Sequence, residues 1–561
     1  MLPPLRLLRP RWWIALVLLL AMVLALPHPS PDTGLTGLPA DGLGSWSVIV
    51  RLDPDVDARR LVEGLGGRVQ ARLGIISGVV AELPARAVPL LARTPGVRGV
   101  TPDARLRLSS VDYDAAKDLG SMVNVGRLIE ADYLWERGIT GAGVGVALID
   151  SGIVPVEGLH SGVVHGPDLS FEGWNGALRT LDTYGHGTHM AGIIAGRDED
   201  WGPSSTTAFA GVAPDARLVS VKVADAAGNT DVSQVIAAID WVVQHRDEMD
   251  IRVLNLSFGT DGAQSYQLDP LAYAVEVAWR KGIVVVAAAG NGGLDDGRLN
   301  NPAYDPYVVA VGAVDPRATK PTHDDEIPKW SSRGDGQRNP DLVAPGRSIV
   351  SLRDRGSTID RGHPTARLGE RFFRGSGTSQ AASVVSGAAA LLLQQRPSLT
   401  PDELKQLLRS TAVHLPAADP RGQGEGLLNV KHAARGSAAV ANQTHPKSLG
   451  LGLLEAARGS VHLGDGVTTL TGEVDASGEA WEAAGWTLAA SGEVTWSGGS
   501  WAGDEWTGGQ WSGNKWADDQ WSGNKWAEQE WTGTWTGNKW ADQGWPADDG
   551  AGRAWSSASW K

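Results

Sequence analysis

Four short stretches place a chemically capable side chain at the edge of regular structure. In Val146-Ala147-Leu148-Ile149-Asp150-Ser151-Gly152 a carboxylate ends an apolar run. In Gly185-His186-Gly187-Thr188-His189-Met190-Ala191-Gly192 an imidazole sits between glycines, ahead of a stretch of small residues suited to a helix start. Gly375-Ser376-Gly377-Thr378-Ser379-Gln380-Ala381-Ala382 runs directly into the helical stretch Ala382 to Gln395, and Ala287-Ala288-Ala289-Gly290-Asn291-Gly292 sets an amide just past a buried strand. Each has an ordinary reading, as a turn-capping Asp, an N-cap Ser or a turn Asn. Taken together they offer nucleophilic acyl transfer. A serine hydroxyl attacks well only when a base takes its proton, and histidine has the pKa to accept and return it. A helix N-terminus and an amide N–H are suited to a developing oxyanion. His186 and His189 could instead hold a metal, but no Glu-x-x-His context or third ligand accompanies them.

These residues need a scaffold that gathers strand ends. Continuous apolar runs at Val144 to Ile149, Leu218 to Val223, Val253 to Ser257 and Ile283 to Ala287 alternate with helical stretches between about Tyr113 and Arg435. Strands without polar alternation, separated by helices, imply a parallel sheet covered on both faces. The expected class is α/β, a doubly wound and mostly parallel sheet, whose reactive residues collect at the carboxyl ends of the strands. A smaller α/β unit precedes it. There β-prone runs at Val48 to Val50 and Val79 to Ala81 alternate with amphipathic stretches at Asp57 to Leu65 and Ala85 to Leu91.

The 561 residues fit several domains. A formal charge of −14 argues against a binder of nucleic acid, which needs clustered cations to displace counterions. The absence of cysteine excludes disulfides and thiol chemistry. Residues 1–26 carry Arg6, Arg9 and Arg11 ahead of the apolar run Trp12 to Leu26, the layout of an export signal. That run is short for a spanning helix of roughly 20 residues, so cleavage is expected and a retained anchor is the alternative. The protein is therefore expected to be secreted or held at the outer face of the cell envelope. Residues 27–44 read as a Pro/Gly spacer and 438–480 as a linker. From 481 to 561 tryptophan recurs, largely every five residues, as in Trp511-Ser512-Gly513-Asn514-Lys515. That period is neither helical nor that of a simple strand. It suggests a solenoid or meander whose indoles could stack on envelope glycan, with a flexible low-complexity tail as the alternative.

The Asp, His, Ser order and the blocks around Asp150, His186, Asn291 and Ser379 resemble those of subtilisin-like serine peptidases, the subtilases. Further blocks extend the likeness: Gly211-Val212-Ala213-Pro214, Asn255-Leu256-Ser257-Phe258-Gly259, Ser331-Ser332-Arg333-Gly334 and Val343-Ala344-Pro345-Gly346. The resemblance implies a subtilisin-like domain over 112–437 that hydrolyses protein or peptide substrates through an acyl-enzyme. Ser379 would be the nucleophile, His186 the base, Asp150 its orienting carboxylate and Asn291 an oxyanion donor. Ser257, Phe258 and Gly259 would form one wall of the pocket for the residue before the cleaved bond, Ala288 and Ala289 the other, with Asn300 near the floor. Residues 45–108 are similar to the family's inhibitory propeptide, a ferredoxin-like unit that the enzyme removes, here somewhere between Asp103 and Asp118. No metal or organic cofactor is required. Calcium, frequent in the family, stays open because no acidic loop is diagnostic of a site. The competing function is a surface- or glycan-binding module, the Trp repeat, carrying an accessory or inactive subtilase domain.

Two departures accompany the likeness. The family's usual Pro-His after the nucleophile is Ser383-Val384, which is expected to cost helix geometry more than reactivity. Extra sequence around Arg353 to Arg374, rich in arginine, is expected to be a solvated loop near the cleft.

Overall fold

A computed structural model describes residues 44–103 and 113–491, apart from 160–161, 174, 176, 295–296, 318–322, 464–468 and 477, together with 500–501 and 504–505. The expected export segment (1–26), the spacer up to residue 43 and nearly all of the Trp repeat past residue 491 lie outside the described residues. Among the described residues no helix is long and apolar enough to cross a membrane. The chain divides into two units, 1–110 and 111–561.

The first unit runs β1 (Ser45–Leu52), α1 (Ala58–Gly64), β2 (Arg68–Leu73), β3 (Gly78–Pro84), α2 (Val88–Ala92) and β4 (Val97–Pro102). Its antiparallel sheet has the order β2-β3-β1-β4, so β–α–β–β–α–β is the ferredoxin-like arrangement expected. Alternation in β3 sends Val79, Ala81 and Leu83 inward, where they meet Val48, Val50, Val62, Leu91 and Val100. Asp57 caps α1 by accepting from the Arg59 and Arg60 amides.

The second unit is built on β5 (Gly145–Asp150), β6 (Val163–Asp168), β7 (Arg217–Lys222), β8 (Ile251–Leu256), β9 (Val284–Ala288), β10 (Val309–Val314) and β11 (Leu342–Pro345). They form one parallel sheet in the order β11-β10-β9-β8-β5-β7-β6. β5 and β9 are buried at every position, as their unbroken apolar runs require, and each fully buried Val, Leu or Ile contributes about 1.5–3 kcal/mol. The strand order reverses between β5 and β8, so the chain opens a crevice at the carboxyl end of β5.

The helices around this sheet include α3 (His186–Ala195), α4 (Val232–Gln244), α5 (Pro270–Arg280), α6 (Thr358–Gly362) and α7 (Thr378–Gln395). α7 is buried from Thr378 through Leu393 and lies against α3, β8, β9 and β10. Small residues make that passage: a Cβ on Gly387 would stand 2.6 Å from Val212 Cβ.

Two expectations are corrected here. The arginine-rich segment is folded, not a solvated loop. β12 (Ile349–Leu352), β13 (Arg367–Leu368) and β14 (Phe372–Gly375) pair antiparallel, with α6 between the first two. Arg353 and Arg374 are buried, paired with Asp360 and Asp118, and Arg371 pairs with Asp198. The segment 438–480 is no linker either. It carries α8 (Leu454–Arg458), and Leu454 and Ala457 join the main core. Arg458, fully buried, grips Asp231 at the N-cap of α4 with Nε 2.7 Å from Oδ2. Beyond it, α9 (Ala483–Ser491) continues the fold, and Trp481 and Trp486 are buried in the same core, Trp486 edge-on to Tyr273 of α5. The first two tryptophans of the 481–561 region thus pack as core residues of the domain.

Candidate active site

Asp150 is the last residue of β5 and His186 the first of α3. His186 Nδ1 lies 2.7 Å from one Asp150 oxygen and 2.9 Å from the other, which turns Nε2 away from the carboxylate. Both residues are buried. The entry to α3 depends on Gly185, whose φ of +104° suits glycine alone, and on Gly187, where a Cβ would stand 2.1 Å from the Gly152 carbonyl oxygen. The Asp-Ser-Gly and Gly-His-Gly turns are therefore in direct contact. His189, one turn along α3, has its Nε2 3.2 Å from the Phe373 carbonyl; burial and the nearby His186 hold its pKa down at about 3. The two rings serve different partners, and among the described residues no three His, Cys, Asp or Glu side chains are grouped so as to hold a metal ion.

Ser379 is the second residue of α7, where the first amides of the helix have no partner within it. Its hydroxyl donates to the Ser257 carbonyl at 2.8 Å. Asn291 sits beyond the end of β9 with its Oδ1 accepting from the Thr378 amide (2.9 Å) and the Thr378 hydroxyl (3.1 Å). With that oxygen committed, the amide nitrogen is the free-facing end. The position a Cβ on Gly377 would take is 3.6 Å from Asn291 Nδ2 and 3.7 Å from the Ser379 nitrogen, so two N–H donors border one glycine-lined space.

Ser257, Phe258 and Gly259 continue from β8, and Ala288 and Ala289 close β9. Asn300 lies between these walls. Its Cβ is 3.0 Å from where a Gly259 Cβ would be, its Oδ1 is 2.6 Å from the corresponding point on Gly290, and its amide donates to the Ala289 carbonyl at 3.0 Å.

Residues 141–443 match the model of the Subtilase family, Peptidase_S8. The chain belongs to the subtilase family. It is 38% identical over 306 residues to serine protease AprX of Bacillus subtilis, spanning 53% of this chain and 67% of that one. With subtilisin E of the same organism it shares 33% over 379 residues, covering 66% and 84% of the two chains. The minor extracellular protease Epr, also from Bacillus subtilis, is 33% identical over 327 residues, 57% of this chain and 43% of that relative. It is accordingly a serine protease of subtilisin type.

Around this subtilase site stand groups that sequence reasoning missed. Asp182, fully buried, accepts from the Gly185 amide (2.6 Å), the Thr188 amide (2.7 Å) and the Ser151 hydroxyl (2.7 Å); burial still pushes its carboxyl pKa upward. Ser151 in turn accepts from the Gly187 amide at 3.0 Å. Lys222, opposite Asp150 in the β5–β7 register, buries its ammonium against Glu172 (2.6 Å), the Leu181 carbonyl (2.5 Å) and Thr183 (3.3 Å). These contacts fix the segment leading into His186 from three sides. The only local signal was an Asp four residues before the histidine, a plausible cap for the approaching helix. The departure at Ser383-Val384 leaves α7 unbroken. Ser383 donates to the Ser379 carbonyl at 3.0 Å and Val384 is buried, so the expected cost in helix geometry does not arise.

Proposed function

We propose that this subtilase is an exported endopeptidase made as a self-processing zymogen and working through Asp150, His186 and Ser379. The observation that carries the reading is the two-oxygen contact of Asp150 with His186 Nδ1. It favours the tautomer with the proton on Nδ1 and the lone pair on Nε2, the form a general base needs. During attack the Ser379 hydroxyl leaves the Ser257 carbonyl, passes its proton to His186 Nε2 and bonds to the substrate carbonyl carbon. Asp150 stabilises the imidazolium. The oxyanion is met by Asn291 Nδ2 and the Ser379 amide, donors of a kind worth about 3 to 4 kcal/mol each in a dry, preorganised site. Collapse of the intermediate expels the amine, which takes the proton back from His186, and water then repeats the sequence on the acyl-enzyme. Every step uses groups of the chain itself, so the mechanism calls for no cofactor.

Asn300 supports a shallow, polar pocket base that favours small or hydrogen-bonding side chains before the cleaved bond over large aromatic ones. The ferredoxin-like first unit supports the role of removable inhibitor, and the charge-then-apolar layout of residues 1–26, with an extracellular relative, supports export. The test compares the full chain with Ser379→Ala. The wild type should release its N-terminal unit, with a new terminus between Asp103 and Asp118 by intact mass, and digest a denatured protein until a serine-directed fluorophosphonate stops it. The variant should do neither. A folded wild type that stays whole and inert sinks the reading.

A further inference from the structure

The folded segment between β12 and β14 touches both halves of the site. Its last strand leads through Ser376 and Gly377 into α7, which carries Ser379. Its middle docks on the turn before His186: the Thr358 amide donates to the Thr183 carbonyl (3.1 Å) and the Ile359 amide to the Tyr184 carbonyl (3.0 Å). These are first-turn amides of α6, which lack partners inside their own helix. Ser357 presses on the turn as well, since a Cβ on Gly185 would come within 2.4 Å of its hydroxyl oxygen. Tyr184, Ile359, Ala366 and Phe373 form a separate small apolar cluster behind it.

One carboxylate holds this segment in shape. Asp360 accepts from Arg353 Nε (2.6 Å) and Nη2 (3.1 Å), from Arg367 Nε (2.9 Å) and from the Gly356 amide (2.9 Å), and only 5% of its side chain is exposed. Contacts of α6 and its flanks thus converge both on Asp360 and on the turn beside the imidazole. Gly185 offers no side-chain cap of its own to α3; Asp182 accepts from the Gly185 and Thr188 amides within the turn, and Ser357, Thr358 and Ile359 hold it from outside.

We propose that α6, held in place by the contacts of Asp360 with Arg353 and Arg367, is a clamp for the catalytic base and that Asp360 is its positioning residue. The clamp acts through backbone contacts at residues 183–185 and keeps the His186 ring seated on Asp150. This rests on the reading of His186 as the base. Neutralising Asp360 leaves Arg353 buried without its counter-charge, and the strain relaxes through the α6 contacts to the His186 turn.

The experiment uses the full chain as wild type, Asp360→Asn, Ser357→Ala and Arg355→Ala, each standardised by active-site titration with a fluorophosphonate so that unfolded protein is not counted. kcat and KM are read on a peptide anilide at a single pH near neutrality. For D360N the expected result is a fall in kcat of at least ten-fold, with KM within two-fold. R355A, which removes an exposed pair with Glu370, should match the wild type. Titrated D360N with wild-type kcat overturns the proposal, whatever happens to its melting temperature. If D360N yields no titratable enzyme, S357A, which loses the cap of α6, the bond to the Asp354 carbonyl and the hydroxyl's contact with the Gly185 turn but keeps Asp360 and its arginines, decides instead: at least a three-fold loss of kcat supports the clamp and no loss overturns it. A wild type that does not react with the inhibitor at all is failure of the peptidase reading, not of the clamp.

Discussion

Arg458→Ala probes how far the folded domain extends beyond residue 443, where the family match ends. Arg458 is wholly buried and makes a two-point contact with Asp231 through Nε (2.7 Å) and Nη2 (3.3 Å), while Nη1 donates to the Gly472 carbonyl (2.7 Å) and Nη2 also to the Val474 carbonyl (2.5 Å). Asp231 is the N-cap of α4 and itself buried, so removing the guanidinium strands a carboxylate inside the protein. Breaking one side of such a pair costs about 3–5 kcal/mol. For a unit of about 380 residues, at about 2.1 cal/mol/K of unfolding entropy per residue, the melting temperature should fall by about 4–6 °C. The assay is calorimetry in a Ser379→Ala background, which prevents self-digestion from obscuring the transition. Arg458→Met with Asp231→Asn should recover much of the loss, since the pair is then replaced on both sides. A shift under 1 °C for R458A, or strict additivity of the two changes, would refute the packing of residues 454–476 as an integral part of the domain.

The site itself yields two more expected outcomes. Asn291→Ala should lower kcat by about 10²–10³ with little change in KM, the loss known for a donor of this kind in subtilisin itself, because Thr378 already holds Oδ1 and only Nδ2 faces the reacting group; steady-state kinetics on a peptide anilide reads it. Asp354 has its pKa pushed up to about 8 by burial and then by the nearby Asp182 and Asp360, against the opposing pull of Lys222 and Arg361. The folded state therefore keeps that proton after the unfolded chain has lost it. The stability it contributes is full below about pH 4 and declines up to about pH 8, by at most about 1.4 kcal/mol per pH unit. Asp354→Asn in the Ser379→Ala background should flatten the fall in melting temperature between pH 5 and 8; an unchanged slope would count against the buried, protonated carboxyl.

The strand ends were legible because burial on both faces writes itself into consecutive residues: Val146 to Ile149 are an unbroken apolar run of strand length, and a carboxylate ends it. The glycines beside His186 and Ser379 were legible for a similar reason, since close approach and left-handed backbone demand that residue type locally. Ser151 and Lys222 were not, because each acquires its role from partners 31 to 50 positions away and looks like an ordinary polar residue in its own stretch; Asp182 has local partners in the Gly185 and Thr188 amides, but its link to Ser151 spans 31 positions. The arginines of 353–374 and Arg458 misled for the opposite reason. Charge reads as solvent exposure until a carboxylate is found at the right distance, and for Arg458 that carboxylate lies 227 residues back.

By itself, then, the sequence determined the parallel α/β class, which rests on local periodicity, and the subtilase family, which rests on the motif blocks around Asp150, His186, Asn291 and Ser379. Only the tertiary structure decided that the fold runs on past residue 443 through Trp486, that the arginine-rich segment is folded against the His186 turn, and that a serine can stand in for proline after the nucleophile. Those are matters of pairing across distance. A buried charge or an orphan amide is stable only beside its partner, and no stretch of chain contains both.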